Sequence, residues 1–142
     1  MYLLDTNVIS ELTRPAPSPA VLRWFATTPA RQIWISSVTL CEIEYVLALL
    51  PEGKRREALQ AATRDLIGID FEGRCLPLDA RCAAAYGALA ASRQRSGRSC
   101  STEDALIAAI ALTHRFTLVT RNTRDFLGIA GLETVDPWLT AV

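Results

Sequence analysis

The sequence predicts an α/β fold in which a parallel sheet is covered by helices on both faces. Short apolar stretches of strand length recur along the chain, and longer stretches of helical character separate them. Strands that alternate with helices typically pair in parallel, because each helix supplies a crossover connection. Half of the 142 residues are hydrophobic, which is enough for a core, and we expect residues 1–142 to form a single domain.

The first half of the chain predicts strands at residues 2–4 and 32–35, and helices that end near residues 12, 26, 50 and 67. Asp5 ends the first strand and is a favourable N-cap for the helix that follows. Pro19 lies in the first turn of the second helix, where proline is favoured. Ser36 or Ser37 caps the long apolar third helix, and Pro51 ends it.

The second half predicts strands at residues 75–76, 117–119 and 133–135, and helices at 79–95 and 101–114. Asp79 begins an alanine-rich helix that Gly97 ends. Ser101 begins the last helix, and Asp104 stands three residues later, in a pattern that resembles a capping box. Residues 105–112 are apolar on every side, which predicts that this helix is buried.

The charge of the chain excludes a protein coated with positive charge for nucleic-acid binding. Fifteen basic and fifteen acidic residues cancel. All the basic residues except Lys54 are arginine, whose planar group suits phosphate or carboxylate. The zero net charge therefore does not exclude a local patch of basic residues around a binding site. A codon bias towards arginine explains the excess of arginine over lysine equally well.

The four cysteines and the single histidine argue against a zinc site. No pair of cysteines has the C-x-x-C spacing, and we expect Cys41 and Cys82 to be small core residues. We see no secretory signal at the start of the chain and no apolar run near about 20 residues. We therefore expect a cytoplasmic protein that does not enter a membrane.

The candidate site lies where strands end, because ligands of parallel sheets bind beyond the carboxyl ends of the strands. Asp5 follows the first strand, and Arg121, Asn122 and Asp125 follow the strand that ends at Val119. Asp5 is equally well explained as a helix cap alone. Asp104 lies in the first turn of the predicted buried helix, where it can cap the helix and still face outward.

Glu42 is the third candidate carboxylate. Its neighbours at helical spacing are apolar: Val38, Tyr45, Val46 and Leu49. A carboxylate inside an apolar stripe is costly unless it is paired or bound to a cation. The helix is apolar on several faces, however, so periodicity does not distinguish Glu42 from Glu44 as the inward residue.

Three carboxylates gathered at one edge of a sheet repel each other unless a cation joins them. Oxygen ligands without histidine or cysteine favour Mg²⁺ or Mn²⁺. Such ions activate water and stabilise phosphoryl charge. The residues Asp5, Glu42 and Asp104 therefore predict metal-dependent hydrolysis of phosphodiesters.

Four segments carry recognisable motifs in order: LLDTNVISEL at 3–12, SSVTLCEI at 36–43, STEDALIAA at 101–109 and LVTRNTRDF at 118–126. Together they resemble the motifs of PIN-domain ribonucleases, in particular the VapC and FitB-like toxins of type II toxin–antitoxin pairs. The closing Asp136-Pro137-Trp138 resembles the Asn-Pro-Trp ending of the FitB-like branch. The resemblance covers essentially the whole chain.

The resemblance implies a PIN-like α/β/α sandwich with a short central parallel sheet of four to five strands. By the same resemblance, Asp5, Glu42 and Asp104 match the metal-binding acidic residues of the family. Thr6 matches a hydroxyl residue that supports the site. The fourth acidic position of the family falls on Asn122, and Asp125 is the next carboxylate, so either can complete the catalytic set.

The activity that the resemblance implies is Mg²⁺- or Mn²⁺-dependent endoribonuclease cleavage of tRNA, rRNA or mRNA. A homodimer and a small VapB-like antitoxin are implied as partners. Arg121 and Arg124, with Thr6, are candidate contacts for the RNA substrate, and Arg14 and Arg98 are further candidates. Aromatic stacking of unpaired bases would fall to Trp24, Trp34 or Trp138, although Trp34 is better explained as a core residue.

Two other functional classes fit the sequence less well. A haloacid-dehalogenase-like phosphatase requires Asp two residues after Asp5, where Asn7 stands, and it or a response receiver requires a lysine near the site. A catalytically weakened RNA- or antitoxin-binding module is favoured only by the uncharged Asn122. The intact set of Asp5, Glu42 and Asp104 argues against such a module.

Overall fold

A computed structural model describes residues 1–140 and has a five-stranded sheet at its centre. The strands are β1 (Tyr2–Leu4), β2 (Ile33–Ser36), β3 (Cys75–Leu76), β4 (Thr117–Val119) and β5 (Thr134–Val135). Their order in the sheet is β3-β2-β1-β4-β5, and every neighbouring pair is parallel. The structure thus confirms the parallel sheet and all five predicted strands.

In the part of the chain that the structure describes, six α-helices connect the strands. They are α1 (Thr6–Leu12), α2 (Pro19–Thr27), α3 (Ser37–Leu49), α4 (Lys54–Asp65), α5 (Ala83–Arg95) and α6 (Thr102–His114). The helix predicted to end near residue 67 continues beyond α4 as a π-helical turn, Leu66–Asp70. The helix predicted from Asp79 begins with a 3₁₀ turn, Ala80–Cys82, before α5.

The sheet has a packed layer on each face. Successive residues of a strand point to opposite faces, so Leu3 packs in one layer and Leu4 in the other. The layer around Leu3 is formed mainly by α6, which is buried along its length, as its apolar composition predicts. The layer around Leu4 includes Val8 of α1 and Trp24 of α2.

The register of the sheet places the ends of β1 and β4 side by side. Leu4 pairs with Val119, and the backbone N–H of Asp5 donates to the carbonyl of Val119 at 2.9 Å. Asp5 and Thr120, the first residues after these two strands, therefore share the carboxyl edge of the sheet. The expected location of the site follows from this pairing.

Two expectations about single residues have different outcomes. Cys82 is fully buried, whereas Cys41 is exposed on α3, so its assignment to the core was wrong. The sequence could not show this because α3 is apolar on more sides than it buries. Trp34 packs partly buried against the core, as expected. Within residues 1–140, no helix combines the length and hydrophobicity that crossing a membrane requires.

Candidate active site at the carboxyl edge of the sheet

An open pocket of about 570 Å³ lies at the carboxyl edge of β1 and β4. Asp5, Glu42 and Asp104 all line it, although they come from β1, α3 and α6. Residues separated by 37 and 62 positions in sequence thus meet at one surface. The structure therefore brings the three predicted carboxylates to one pocket, and their role as metal ligands stays a prediction.

Asp5 is both a helix cap and a pocket residue. Its Oδ1 accepts the backbone N–H of Thr6 at 2.8 Å at the start of α1. Its Oδ2 accepts from the Thr120 hydroxyl at 2.8 Å and from Asn7 Nδ2 at 3.2 Å. The side chain is only 4% exposed, and this burial raises the pKa of Asp5 to about 6 despite the hydrogen bonds from Thr120 and Thr6.

Glu42 is held at the pocket by a hydrogen bond from Thr6, and not by enclosure in an apolar stripe. The Thr6 hydroxyl donates to Glu42 Oε1 at 2.7 Å, across from α1 to α3. Burial raises the pKa of Glu42, the Thr6 hydrogen bond opposes this, and the charge of Asp104 adds to it. Glu44 is exposed, so the ambiguity between the two glutamates is resolved in favour of Glu42.

The reason the sequence offered for Glu42 was wrong. Three of its helical neighbours, Tyr45, Val46 and Leu49, are themselves exposed, at 66%, 58% and 66%. Glu42 therefore does not lie in an inward apolar stripe of α3. Its position next to α1 makes it a site residue, and helical periodicity carries no information about that neighbour.

Asp104 occupies the first turn of α6, as the capping pattern predicts. The Ser101 hydroxyl accepts the backbone N–H of Asp104 at 3.1 Å. Burial raises the pKa of the Asp104 carboxyl, the hydrogen bond with Ser101 lowers it, and the charges of Asp125 and Glu103 raise it. The helix that carries this carboxylate is packed in the core, so the position of its first turn is fixed by that packing.

The three carboxylates influence one another electrostatically. The charges of Asp104 and Glu42 raise the pKa of Asp5, and the charge of Asp104 raises that of Glu42. Like charges in one pocket are costly, and a hard divalent cation with oxygen ligands would relieve the repulsion. Within residues 1–140 no three His, Cys, Asp or Glu side chains stand close enough to hold an ion as they are placed. The donor set thus fits Mg²⁺ or Mn²⁺ chemically without forming a closed cage.

Thr120 connects the two sides of the pocket. It is fully buried, and its hydroxyl donates to Asp5 Oδ2 while it accepts from Asn7 Nδ2 at 3.3 Å and from the backbone N–H of Asn122 at 3.1 Å. A hydroxyl has one donor and two acceptor positions, so all three are used. Thr120 therefore fixes Asp5 and the start of the segment after β4 relative to each other.

Comparison with known proteins identifies the family to which this fold belongs. Residues 2–132 match the family described as PIN domain. The chain belongs to the PIN-domain family. The match includes Asp5, Glu42 and Asp104, and the five-stranded parallel sheet with flanking helices is the fold of that family.

Individual relatives of this PIN domain are similar over nearly their whole length. Plasmid stability protein StbB from Pseudomonas syringae pv. tomato is 40% identical over 97% of this chain and 99% of its own. VapC ribonuclease Y4jK from Sinorhizobium fredii is 38% identical over 97% and 98%. The crystal structure of FitAcB from Neisseria gonorrhoeae superposes with a TM-score of 0.90 at 35% identity, covering 99% of this chain and 100% of that one. The PIN domain thus falls in the VapC/FitB-like branch.

The remaining candidates separate into two groups in this PIN domain. Asn122, Arg121 and Arg14 line the acidic pocket together with Thr6. Asp125 and Arg124 are exposed outside that lining, although the charge of Asp125 still raises the pKa of Asp104. Arg98 is also outside the pocket, and its guanidinium donates to the backbone carbonyl of Leu127 at 2.7 Å.

Sequence reasoning missed Thr120 and Asn7 as individual site residues. Both lie directly after strand ends, in the segments Asp5-Thr6-Asn7 and Thr120-Arg121-Asn122, which was the available signal. The guanidinium of Arg121 lies 5.1 Å from the centre of the Trp138 ring, and both residues line the pocket. The Asp136-Pro137-Trp138 ending of this PIN domain therefore contributes to the wall of the pocket.

Proposed function

We propose that this PIN domain is a metal-dependent endoribonuclease and the toxin of a VapBC-like type II pair. The observation that carries the proposal is the shared pocket of Asp5, Glu42 and Asp104, in which each pKa is raised by burial and by neighbouring negative charge. A relative of similar length bears the name VapC ribonuclease. Buried, mutually repelling carboxylates at a strand edge are typical of a cation site rather than of a structural cluster.

The cation in this proposal is Mg²⁺ or Mn²⁺, held by Asp5, Glu42 and Asp104. When bound, it lowers the pKa of a water molecule and stabilises charge on the phosphate under attack. The protein keeps the carboxylates oriented: Thr120 and the start of α1 hold Asp5, and Thr6 holds Glu42. Asn122 offers an uncharged amide oxygen at the same pocket.

The proposed substrate is cellular RNA, and the proposed compartment is the cytoplasm. Arg121 and Arg14 provide positive charge on the pocket lining, where an RNA backbone approaches the carboxylates. Trp138, beneath Arg121, adds an aromatic surface of the kind that receives unpaired bases. Arg124 lies outside the pocket and is proposed only as a peripheral contact.

The proposed protein partners are a VapB-like antitoxin and a second copy of the toxin. A groove of about 280 Å³ between α1, α3 and α4 shares Thr6 and Glu42 with the acidic pocket and is lined by apolar residues such as Val46 and Leu59. We propose that an antitoxin segment binds this groove and places a cationic side chain among the carboxylates. The exposed Tyr45 and Leu49 on α3 favour a homodimer contact.

The first prediction tests the carboxylates directly. Asp5→Asn, Glu42→Gln and Asp104→Asn should each abolish cleavage of labelled structured RNA in Mg²⁺ or Mn²⁺ and relieve growth arrest on induction. Removing a ligand that acts only when the ion is bound should cost at least about 100-fold in rate. The matched control is Glu44→Gln, because Glu44 is an exposed glutamate on the same helix.

Circular dichroism and thermal unfolding establish that each variant is folded. A folded Asp104→Asn protein with full RNA cleavage would contradict the proposed site. The uncharged Asn122 favours one other candidate, a weakened module that binds RNA or antitoxin without cleaving. RNA binding with no cleavage in either metal, and cleavage gained in Asn122→Asp, would support that candidate instead.

A further inference from the structure

A second pocket, of about 380 Å³, is lined by α5, by one residue of α6 and by residues 128–130. It shares no lining residue with the acidic pocket. One part of its wall is apolar and consists of Ala85, Ala88, Leu89, Leu112, Ile129 and Ala130. A concave site of this size, with a mainly apolar wall and a few polar groups, is typical of the binding of a small organic ligand.

The polar part of the second pocket is positively charged. Arg93, near the end of α5, and Arg98, in the loop after α5, both line it, together with Ser92 and Ser96. Among the residues that the structure describes, no Asp or Glu lines this pocket and neither arginine forms an ion pair. The pocket thus combines two guanidinium groups that lack a counter-charge with an apolar wall.

Arg93 is an unusual residue to bury. Only 6% of it is exposed, and its Nε is buried without a hydrogen-bond partner. Its Nη2 donates to the carbonyl oxygen of Asp125 at 2.9 Å. A buried charge without a counter-charge is costly, and a buried donor without an acceptor adds to the cost. One carbonyl uses one of the five N–H donors of a guanidinium, whereas an anion in the pocket would supply the missing counter-charge.

Arg98 is exposed, but its guanidinium is held in place. Its Nη1 donates to the carbonyl oxygen of Leu127 at 2.7 Å. The same atom packs so closely on Gly128 that a Cβ there would lie 2.9 Å away. A guanidinium that is already oriented loses less conformational freedom when it binds a ligand. Both arginines are therefore fixed at the wall of the pocket before any ligand arrives.

We propose that the second pocket binds a small amphipathic anion, with a carboxylate or phosphate group against Arg93 and Arg98 and a short aliphatic body along the apolar wall. The planar guanidinium group matches either oxyanion, and the apolar wall removes the aliphatic body from water. The backbone of RNA fits less well, because it carries no aliphatic body to place against this wall. The proposal does not depend on the proposed function, since the two pockets have no lining residue in common.

The test is binding of octanoate and of octyl phosphate to the full chain, without metal or RNA. Isothermal titration calorimetry measures affinity, and amide chemical shifts locate the site. The compound 1-octanol has the same aliphatic body without the charge, and inorganic phosphate has the charge without the body. These two neutral and body-free probes separate the contributions of the arginines and of the apolar wall.

Two variants change the pocket in different ways. Arg98→Gln removes a charge and keeps an amide donor, and Ala88→Leu fills the pocket while leaving both arginines in place. Leucine is a good helix former, and Ala88 is exposed on α5, so this second variant should fold. The matched controls are Arg95→Met and Ala84→Leu, at exposed positions of α5 outside the lining. Thermal unfolding establishes that each variant is folded.

At least one of the two amphipathic anions should bind roughly tenfold more tightly than 1-octanol and than inorganic phosphate, because a charge-assisted hydrogen bond and apolar burial then act together. Arg98→Gln and Ala88→Leu should each weaken that binding by about tenfold or more, and the two controls should leave it unchanged. The largest shift changes should fall at residues 85–98 and 128–130. Octanoate binding alone identifies the ligand group as a carboxylate, and octyl phosphate binding alone identifies it as a phosphate.

Four results would overturn the proposal. Equal affinity for 1-octanol would show an apolar pocket without a role for the arginines. Equal affinity for inorganic phosphate would show a bare phosphate contact, such as an RNA backbone makes. Binding that Arg98→Gln or Ala88→Leu leaves unchanged, or no saturable binding of either amphipathic anion, would show that the second pocket is not the site.

Discussion

Thr120 is the residue whose replacement has the most specific expected effect. Its hydroxyl donates to Asp5 and accepts from Asn7 and Asn122, with no position left over for water. Valine has the same shape without the hydroxyl, so Thr120→Val removes these bonds and adds no bulk. The hydrogen bond from Thr120 lowers the pKa of Asp5. Its removal should therefore raise that pKa further.

We expect Thr120→Val to lose about 1–3 kcal/mol of unfolding free energy, since it leaves buried polar groups without partners. The rising limb of the pH–rate profile for RNA cleavage should also move to higher pH. Thr113→Val is the matched control, because the Thr113 hydroxyl bonds only the carbonyl of Ala109 within α6. A pH–rate profile that stays in place would contradict the role given to Thr120.

The raised pKa of Asp5 predicts how the stability of the metal-free protein depends on pH. Its folded-state pKa is raised from 3.8 to about 6, so between these values the folded state binds more protons than the unfolded state. Unfolding free energy should therefore fall as pH rises through this window, by on the order of 2 kcal/mol, and stay low above it. Denaturant titrations from pH 4 to about pH 7 measure this slope.

The same titrations on Asp5→Asn should show a clearly smaller slope. Addition of Mn²⁺ at pH 7 should restore stability to the wild type and have little effect on the variant. Slopes that are identical with and without Asp5 would show that burial of this carboxylate does not govern the pH response.

At the scale of elements, two serine caps set the positions of two carboxylates. Ser36 caps α3 by accepting the N–H of Thr39, and Glu42 follows in the next turn. Ser101 caps α6 by accepting the N–H of Asp104 itself. A cap fixes where a helix begins, so it also fixes where its first-turn side chains point. The site thus depends on helix starts as well as on strand ends.

Ser101→Ala should reduce unfolding free energy by about 1 kcal/mol, because one N–H at the start of α6 loses its acceptor. It should also raise the pKa of Asp104, since the bond with Ser101 lowers it, and increase the Mg²⁺ concentration that gives half-maximal cleavage. Thermal unfolding and a Mg²⁺ titration measure the two effects. Ser99→Ala, an exposed serine in the preceding loop, should change neither.

At the scale of the whole molecule, charge is balanced in sum but uneven in space. The net charge is zero, yet one pocket has four carboxylates on its lining, those of Asp5, Glu11, Glu42 and Asp104, together with Arg14 and Arg121. Arg14 is also bonded to Glu11 at 3.1 Å, whereas Arg121 lies against the ring of Trp138. RNA binding should therefore depend on a few local arginines rather than on the overall field.

In the non-cleaving Asp104→Asn background, Arg121→Met should weaken single-stranded RNA binding and flatten its salt dependence by roughly 0.7 in log–log slope, one lost phosphate contact. Arg124→Met should have a smaller effect, because Arg124 lies outside the pocket. Arg23→Met, an exposed arginine on α2, is the control. Fluorescence anisotropy at several salt concentrations measures the slopes, and equal effects from all three variants would contradict a local contact.

Several parts of the site could be predicted because they are encoded locally. Asp5 follows a three-residue apolar strand, and Asp104 stands three residues after its cap, so each is visible within a few neighbouring residues. Glu42 was named for a reason that proved wrong, since its exposed apolar neighbours on α3 do not enclose it. Its contact with Thr6 spans 36 residues and has no local signature.

By itself, the sequence determined the order of strands and helices along the chain, the parallel pairing they require, and the residue types available to bind a hard cation. These follow from periodicity, caps and side-chain chemistry, which act over short stretches of chain. Only the tertiary structure decided that Glu42 rather than Glu44 lines the pocket with Asp5, that Thr120 joins both sides of the pocket, and that Arg93 is buried with its guanidinium bonded to the backbone of Asp125. Those contacts depend on which elements become neighbours, and packing of distant segments decides that.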